Sequence, residues 1–558
     1  MSAPVALHPR LAAYASGYLD ALYQFNPLLA STLGLHDYDG LLPDYAEAPI
    51  RARVAALDQL IADGDALSSE PHDGWSGQDE RDATLLTNAA RSERRLLADQ
   101  QEHLRNPLFY DALFDVTAYL KRDYAPLGVR VDATIRHLDA IPDAVATADA
   151  NLARVVAAPF VATALETVPG VRAFIADDLL TAIGDGISPE QRAEVERSQM
   201  RAVAALDRWE AAIRGRQGQA TADFAIGAEA FAAMLRWDEM VTLPLDALLE
   251  IGEADLRRNL DAARDIAARL APESGDADVA AAMASIGDDH PTAANLIAET
   301  RGMLEELRRF LIEREIVTVP SEVRCFVEET PPFLRWASAM MDSPGPLDEK
   351  ATEAFYYVTP VEAHWTPEQA EEWLRTLNYA MLRNTSVHEA YPGHYVHSLH
   401  NRQAPTQVSR VFGAYSFWEA WAHYAEEMMI AQGFGDGDPR LHLAQIGDAL
   451  LRNVRYVCAI RMHTMGMTVA EATERFRHEA FLEPLAAERE AMRGTFDPGY
   501  LCYTLGKLEL RKLREDAERE RGDAFNLRQF HDEVLSFGAP PLALVRAAML
   551  KNDDSAVL

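Results

Sequence analysis

Residues His388-Glu389-Ala390-Tyr391-Pro392-Gly393-His394 decide how this chain is read. A His-Glu pair with a second His close behind is the ligand–base–ligand pattern of zinc hydrolases. Its usual form, H-E-x-x-H, sets both histidines on one helix face. Here they are six residues apart. Six residues of regular helix turn through about 600°, so the two imidazoles would point in different directions. Pro392 and Gly393 offer the correction. Pro392 lacks an N–H, and its ring crowds the carbonyl four residues back, that of His388. Gly393 tolerates the dihedrals of a bulge. A helix carrying a wide turn at 391–393 would return His394 to the face of His388. Two blander readings compete. Ser386-Val387-His388-Glu389 matches an S-x-x-E capping box, and His394, His397 and His400 could form one solvated face.

The segment 416–430, SFWEAWAHYAEEMMI, bears on that choice. It reads as a helix, apolar around most of its circumference and therefore buried, that closes near Gly433. Glu419, His423 and Glu426 fall four and seven residues apart, along one narrow stripe. Unpaired carboxylates in such surroundings cost on the order of several kcal/mol, so they must be paired, hydrogen-bonded or bound to a metal. Glu419 lies 25 residues beyond His394, a natural distance for a second helix packed antiparallel to the first. His388, His394 and Glu419 would then be three metal ligands, with a fourth position open to water. The competing reading is a buried ion pair with an arginine such as Arg455.

The chain has 558 residues, 48% of them hydrophobic, enough for several domain-sized units or one large helical enzyme. A net charge of −34 argues against nucleic-acid backbones and anionic membranes as partners. Cys325, Cys458 and Cys502 are too few and too scattered for a disulfide framework. Residues 1–10 lack a basic stretch followed by an apolar run, and no segment approaches 18 uninterrupted apolar residues. A cytoplasmic protein is expected; nothing in the sequence sets its oligomeric state.

Helix-period patterns run almost from end to end, for example over 82–104, 191–214, 244–270 and 295–314. Short breakers such as 272–276 and 288–291 separate them. Two runs, 323–327 and 354–358, are rich in β-branched or aromatic residues and read as strands. Such a sheet beside a metal helix either holds an extended substrate by its backbone or is a minor structural hairpin. Thr366-Pro367 caps a helix expected to run to about Arg383. The fold class is mostly α, with a helical N-terminal lobe over 1–310 and a metal-binding lobe with the small sheet over 311–558, together able to form one structural unit. Downstream, Arg452-Asn453-Val454-Arg455-Tyr456 leads to His463, and Asp497-Pro498-Gly499-Tyr500 leads to Tyr503. Each is a packing element or a source of the Tyr or His donors that stabilise an oxyanion.

Taken together, these segments resemble the bacterial domain-of-unknown-function 885 family, in its reading as H-E-x-x-P-G-H zinc metallopeptidases. The resemblance rests on 388–394, on E-x-W-A-x-Y-A-E at 419–426, on the Arg-to-His helix, and on Pro498-Gly499 followed by Tyr503-x-x-Gly506. The segments 26–39 and 106–110 extend it over nearly the whole chain, although only the first two motifs are highly specific. More distantly, the ligand order is similar to that of helical gluzincins of the thimet oligopeptidase, angiotensin-converting-enzyme and Taq carboxypeptidase groups, which are clamshells that hydrolyse short peptides. The resemblance implies Zn2+ on His388, His394 and Glu419, Glu389 as general base, and Tyr503 and His463 as transition-state donors. The chain departs from the family in having Ala459 and Arg461 between its Arg and His. The spacing from Pro498 to Tyr503 is also one residue short, which keeps Tyr500 as a rival donor. His423, at a position expected to be apolar in relatives, and with it Glu426 and Arg455, are candidates for supporting the ligands or the substrate. The implied function is zinc-dependent hydrolysis of short peptides. The alternatives are hydrolysis of a non-peptide amide metabolite and a non-catalytic metal-binding scaffold.

Overall fold

The computed structural model describes residues 5–69, 74–270, 278–331, 335, 337–551 and 558. The breaker expected at 272–276 lies outside them. The chain is 71% helix and 3% strand, the strand forming one small three-stranded sheet. Among the described residues, no helix is long and apolar enough to cross a membrane.

The long helices fall where the 3.6-residue pattern puts them: Pro189–Arg216, Leu245–Leu270 and Leu296–Glu313. The run over 82–104 is not one helix. It is Gly77–Arg94, a wide π turn at Arg95–Asp99, and a short helix Glu102–Arg105 entered through Gln101, which has φ +53°. The helix begun at Pro367 ends at Thr376 rather than near Arg383. Asn378 stops it by capping the next helix, Tyr379–Glu389, its side chain accepting from the Met381 N–H at 2.9 Å.

The sheet has the order β1 (Phe326–Glu329), β3 (Phe355–Val358), β2 (Ala339–Asp342). β3 runs parallel to β1 and antiparallel to β2. β1 starts three residues later than the sequence pattern suggests. Its register pairs Phe326 with Phe355, the first residue of β3, and leaves 323–325 without a partner strand. β2 was not among the expected strands. Ala-Met-Met-Asp has no β-branched run, and its conformation comes from pairing with β3.

Two helix contacts place the site. Helix Tyr415–Ala431 packs on helix Cys502–Arg521 at Gly506, where a Cβ would lie 2.4 Å from the Ser416 carbonyl oxygen and 2.6 Å from the Ala420 Cβ. Glycine allows this approach and sets Tyr503, one turn earlier, over the same helix. Helix Pro439–Thr464 closes on Leu245–Leu270 in the same manner, with the Tyr456 ring against Gly252. The largest core joins helices before residue 310 to Pro439–Thr464, and a second core surrounds the sheet and residues 377–434.

Candidate metal centre

Helix Tyr379–Glu389 delivers His388 and Glu389 in its last turn, and a new helix, His394–Asn401, begins at His394. The wide turn expected at 391–393 is present, with Tyr391 N–H bonded to the Ser386 carbonyl five residues back and Gly393 N–H to that of Val387, six back. It divides the segment into two helices instead of bulging one. Pro392 follows a cis peptide, and a Cβ on Gly393 would fall 1.6 Å from the His388 carbonyl oxygen. The turn thus folds back on the His388 carbonyl, where only glycine fits. The Trp421 indole N–H donates to the Pro392 carbonyl at 2.8 Å, tying the turn to helix Tyr415–Ala431.

That helix carries Glu419. Its Oε2 lies 3.6 Å from His388 Nε2 and 3.5 Å from His394 Nε2, and the three atoms lie within 4.8 Å of one another. Donors about 2.1 Å from a shared tetrahedral ion stand roughly 3.4 Å apart, so the spacing fits a zinc-type ion. Glu419 Oε2 is also buried without a hydrogen-bond partner, the condition of an atom waiting for a cation. His394 and Glu419 keep about a fifth of their side chains exposed, leaving the cluster open on one side. The histidines do not form a solvated face. His397 is buried against Trp418 and bonded to the Gly538 carbonyl, and His400 bonds the Thr318 carbonyl.

Behind His388 stands a buried charge network. His388 Nδ1 donates to Glu426 Oε1 at 2.6 Å, which leaves Nε2 as the ring nitrogen facing Glu419. His423 Nδ1 reaches Glu426 Oε2 at 3.2 Å, and Arg452 pairs with Glu426 at 3.2 Å. Arg452 also faces Asp448, held in turn by Asn384 at 2.6 Å. Burial would raise the Glu426 carboxyl, but Arg452 and the histidines hold it well below the usual range. Burial and Arg452 pull His388 down, and the Glu419 and Glu426 carboxylates outweigh them, raising it to about 9. His423 is pushed down to about 3 by burial and the Lys507 charge, so it supports Glu426 as a neutral donor.

Glu389 Oε2 accepts the Met341 backbone N–H of β2 at 2.9 Å. This fixes one carboxylate oxygen on the sheet. Tyr503 lies beneath the guanidinium groups of Arg452 and Arg455, 5.5 and 5.2 Å from its ring, and edge-on to Tyr415. Burial and the Glu419 charge raise its phenol above the ordinary value, against the pull of the arginines, so it stays protonated. Arg455 is not the ion-pair partner of the Glu419 stripe. It is engaged by Glu490 in a bidentate pair at 2.7 and 2.8 Å, and Arg452 takes the role expected of it.

His463 and Tyr500 are not brought to the cluster. His463 is eleven residues beyond Arg452 on one helix, about 16 Å by helix rise. Its Nε2 meets the Gly494 carbonyl at 2.7 Å, its Nδ1 faces the Ile226 N–H, and Phe231 stacks on its ring. Tyr500 is fully buried, with its hydroxyl against Met462 Sδ and Gly494. Arg452, Asp448 and the Met341 N–H are what the sequence reading missed. Asp448 and Arg452, opposite charges four apart on one helix, were a usable signal for two of them.

The sequence matches the family model described as "Bacterial protein of unknown function (DUF885)" over residues 27–549. A structure from Shewanella oneidensis, described as "a putative lipoprotein of unknown function", superposes with a TM-score of 0.81 at 25% identity, covering 97% of this chain and 100% of that one. A structure from Colwellia psychrerythraea, described as "the putative lipoprotein", has a TM-score of 0.78 at 17% identity, covering 97% of this chain and 98% of that one. This second likeness bears on the fold alone. No curated protein matches the sequence.

Proposed function

We propose that this chain, which belongs to the DUF885 family of bacterial proteins, is a zinc-dependent hydrolase of peptide or closely related amide bonds. The observation that carries the reading is the convergence of His388 Nε2, His394 Nε2 and Glu419 Oε2, with the Glu389 carboxylate one residue from the first of them. Two imidazoles, one carboxylate and an open side match the donor set of a catalytic rather than a closed structural zinc site. A bound zinc ion would supply Lewis acidity, lowering the pKa of water and polarising a carbonyl.

The chain's own groups do the rest. Glu389 is held at Oε2 by the Met341 N–H, and Oε1 accepts a proton from water and returns it to the leaving nitrogen. Tyr503, kept protonated, donates its O–H to the carbonyl oxygen as negative charge develops there. Glu426 keeps the proton of His388 on Nδ1 and the ring in place, and Arg452 stabilises Glu426. β2 is an edge strand beside Glu389, suited to aligning an extended substrate by its backbone.

The test is elemental analysis after reconstitution, followed by incubation with a mixed peptide library with and without chelator. About one zinc per chain and chelator-sensitive cleavage are expected. Full zinc occupancy with no hydrolysis of peptides or amides would leave only the metal-binding scaffold.

A further inference from the structure

A cavity of about 530 Å³ lies between the N-terminal helices and the start of helix Tyr415–Ala431. That size is within the range of small-ligand sites, roughly 300–1,000 Å³. Its walls are rings and aliphatic chains, with Phe25, Tyr45, Phe109, Trp237, Phe412 and Tyr415 among the aromatic ones. Tyr415, on its wall, lies edge-on to Tyr503 with ring centroids 5.8 Å apart and one helical turn before Glu419.

The polar lining has one sign. Glu93, Asp238 and Glu239 line the cavity, and among the described residues no Lys, Arg or His does. Glu93 is neutralised by a bidentate pair with Arg53 at 2.6 and 2.7 Å. Asp238 gives one oxygen to Arg95 at 3.0 Å, while its Oδ1 is buried without a hydrogen-bond partner. Glu239, 2% exposed, has neutral donors, the Ser416 N–H at 3.2 Å and the Cys502 thiol at 3.4 Å. Aromatic walls with under-neutralised carboxylates are the chemistry that recognises an organic ammonium group on an apolar body.

We infer that this cavity takes the amino-terminal residue of a peptide substrate, its apolar or aromatic side chain against the rings and its α-ammonium group at Asp238 and Glu239. The inference rests on the hydrolase reading for its notion of a substrate and makes that reading specific: free amino termini bearing apolar residues. A residue seated here passes its chain by Tyr415 and Tyr503 toward Glu419.

The test is calorimetric titration of the metal-free protein with a tetrapeptide that begins with phenylalanine, its acetylated form, and a counterpart beginning with aspartate. The free-amine phenylalanine peptide should bind at least 10-fold more tightly than either. Glu239→Gln should shrink the gap between free and acetylated forms. Ala89→Trp and Ser92→Phe, which fill the cavity from the helix Gly77–Arg94, should each weaken binding at least 10-fold with zinc uptake and melting temperature unchanged. Equal binding of the acetylated peptide, or unchanged binding in both filled variants, overturns the assignment. If the peptide binds as expected and the zinc-loaded protein leaves it uncut, the cavity assignment stands and the hydrolase reading is the part that fails.

Discussion

Glu389 and Glu419 are both carboxylates at one cluster, and their surroundings ask different things of them. Glu389 is anchored through one oxygen to the Met341 N–H, whereas Glu419 Oε2 sits between two imidazoles without a hydrogen bond of its own. Glu389→Gln should therefore keep zinc and lose at least roughly 10²-fold in turnover, because an amide accepts no proton at neutral pH. Glu419→Gln should lose zinc affinity first; metal titration alongside steady-state kinetics separates the two. If both variants lose metal equally, Glu389 is a ligand or a cap and not the base. Glu426→Gln acts from behind: zinc affinity should fall about 10–100-fold through His388. The fold should lose up to about 3–5 kcal/mol, because buried Arg452 loses its closer carboxylate and keeps only Asp448 at 3.9 Å, as urea unfolding would measure. At this scale the candidate cluster was legible, since His388, Glu389, His394 and Glu419 are chemically conspicuous and the fold brings His388, His394 and Glu419 together. His463 and Tyr500 were not separable from Tyr503, because donor-type residues look alike until the packing shows which face meets the cluster.

At the scale of elements, glycine contacts set the geometry of the His388–His394–Glu419 cluster. Gly393→Ala puts a methyl group onto the His388 carbonyl, so zinc uptake should be lost together with several degrees of melting temperature. Gly506→Ala, one helix away, should push Cys502–Arg521 off Tyr415–Ala431 and displace Tyr503. Turnover should then fall with zinc content intact, as kinetics on metal-assayed protein would show. Met341→Pro removes the N–H that holds Glu389, at an outward position of an edge strand where proline is tolerated. A fall in turnover approaching roughly 10²-fold with unchanged zinc is expected from the misplaced base. Sequence pattern placed most of these elements. Pro392 and Gly393 marked where the chain must turn, but whether that turn bulges a helix or ends it depends on Trp421 and on helix Tyr415–Ala431. β2 left no trace because Ala339-Met340-Met341-Asp342 is a strand only through its neighbour.

For the whole molecule, buried ionisable groups set the response to acid. Burial pushes His397, His423 and His531 down to about 3, so the unfolded chain takes up their protons first and stability falls as pH drops below about 6.5. Burial pushes the other way on Asp111 and Glu239, both raised to about 7. They bind protons in the folded chain first and gain stability over the same window. Below about 4.5 that gain is complete. Glu419 and Glu426, held well below the usual range, and Glu427, held at about 2 against burial by Lys507 and Arg258, then lose their pairing. Three histidine losses against two carboxyl gains leave a modest fall in melting temperature from pH 6.5 to 4.5 and a steep one below it; scanning calorimetry across that range checks the shape. The Trp421 bond to the Pro392 carbonyl has a consequence for ion choice. On the zinc reading, the helix that bears Glu419 also grips the loop between His388 and His394, so the three candidate donor atoms stand within 4.8 Å of one another before any ion arrives. Such a rigid gauge measures ionic radius: calcium, which needs donors at about 2.3–2.6 Å and more of them, should not compete with zinc even in large excess.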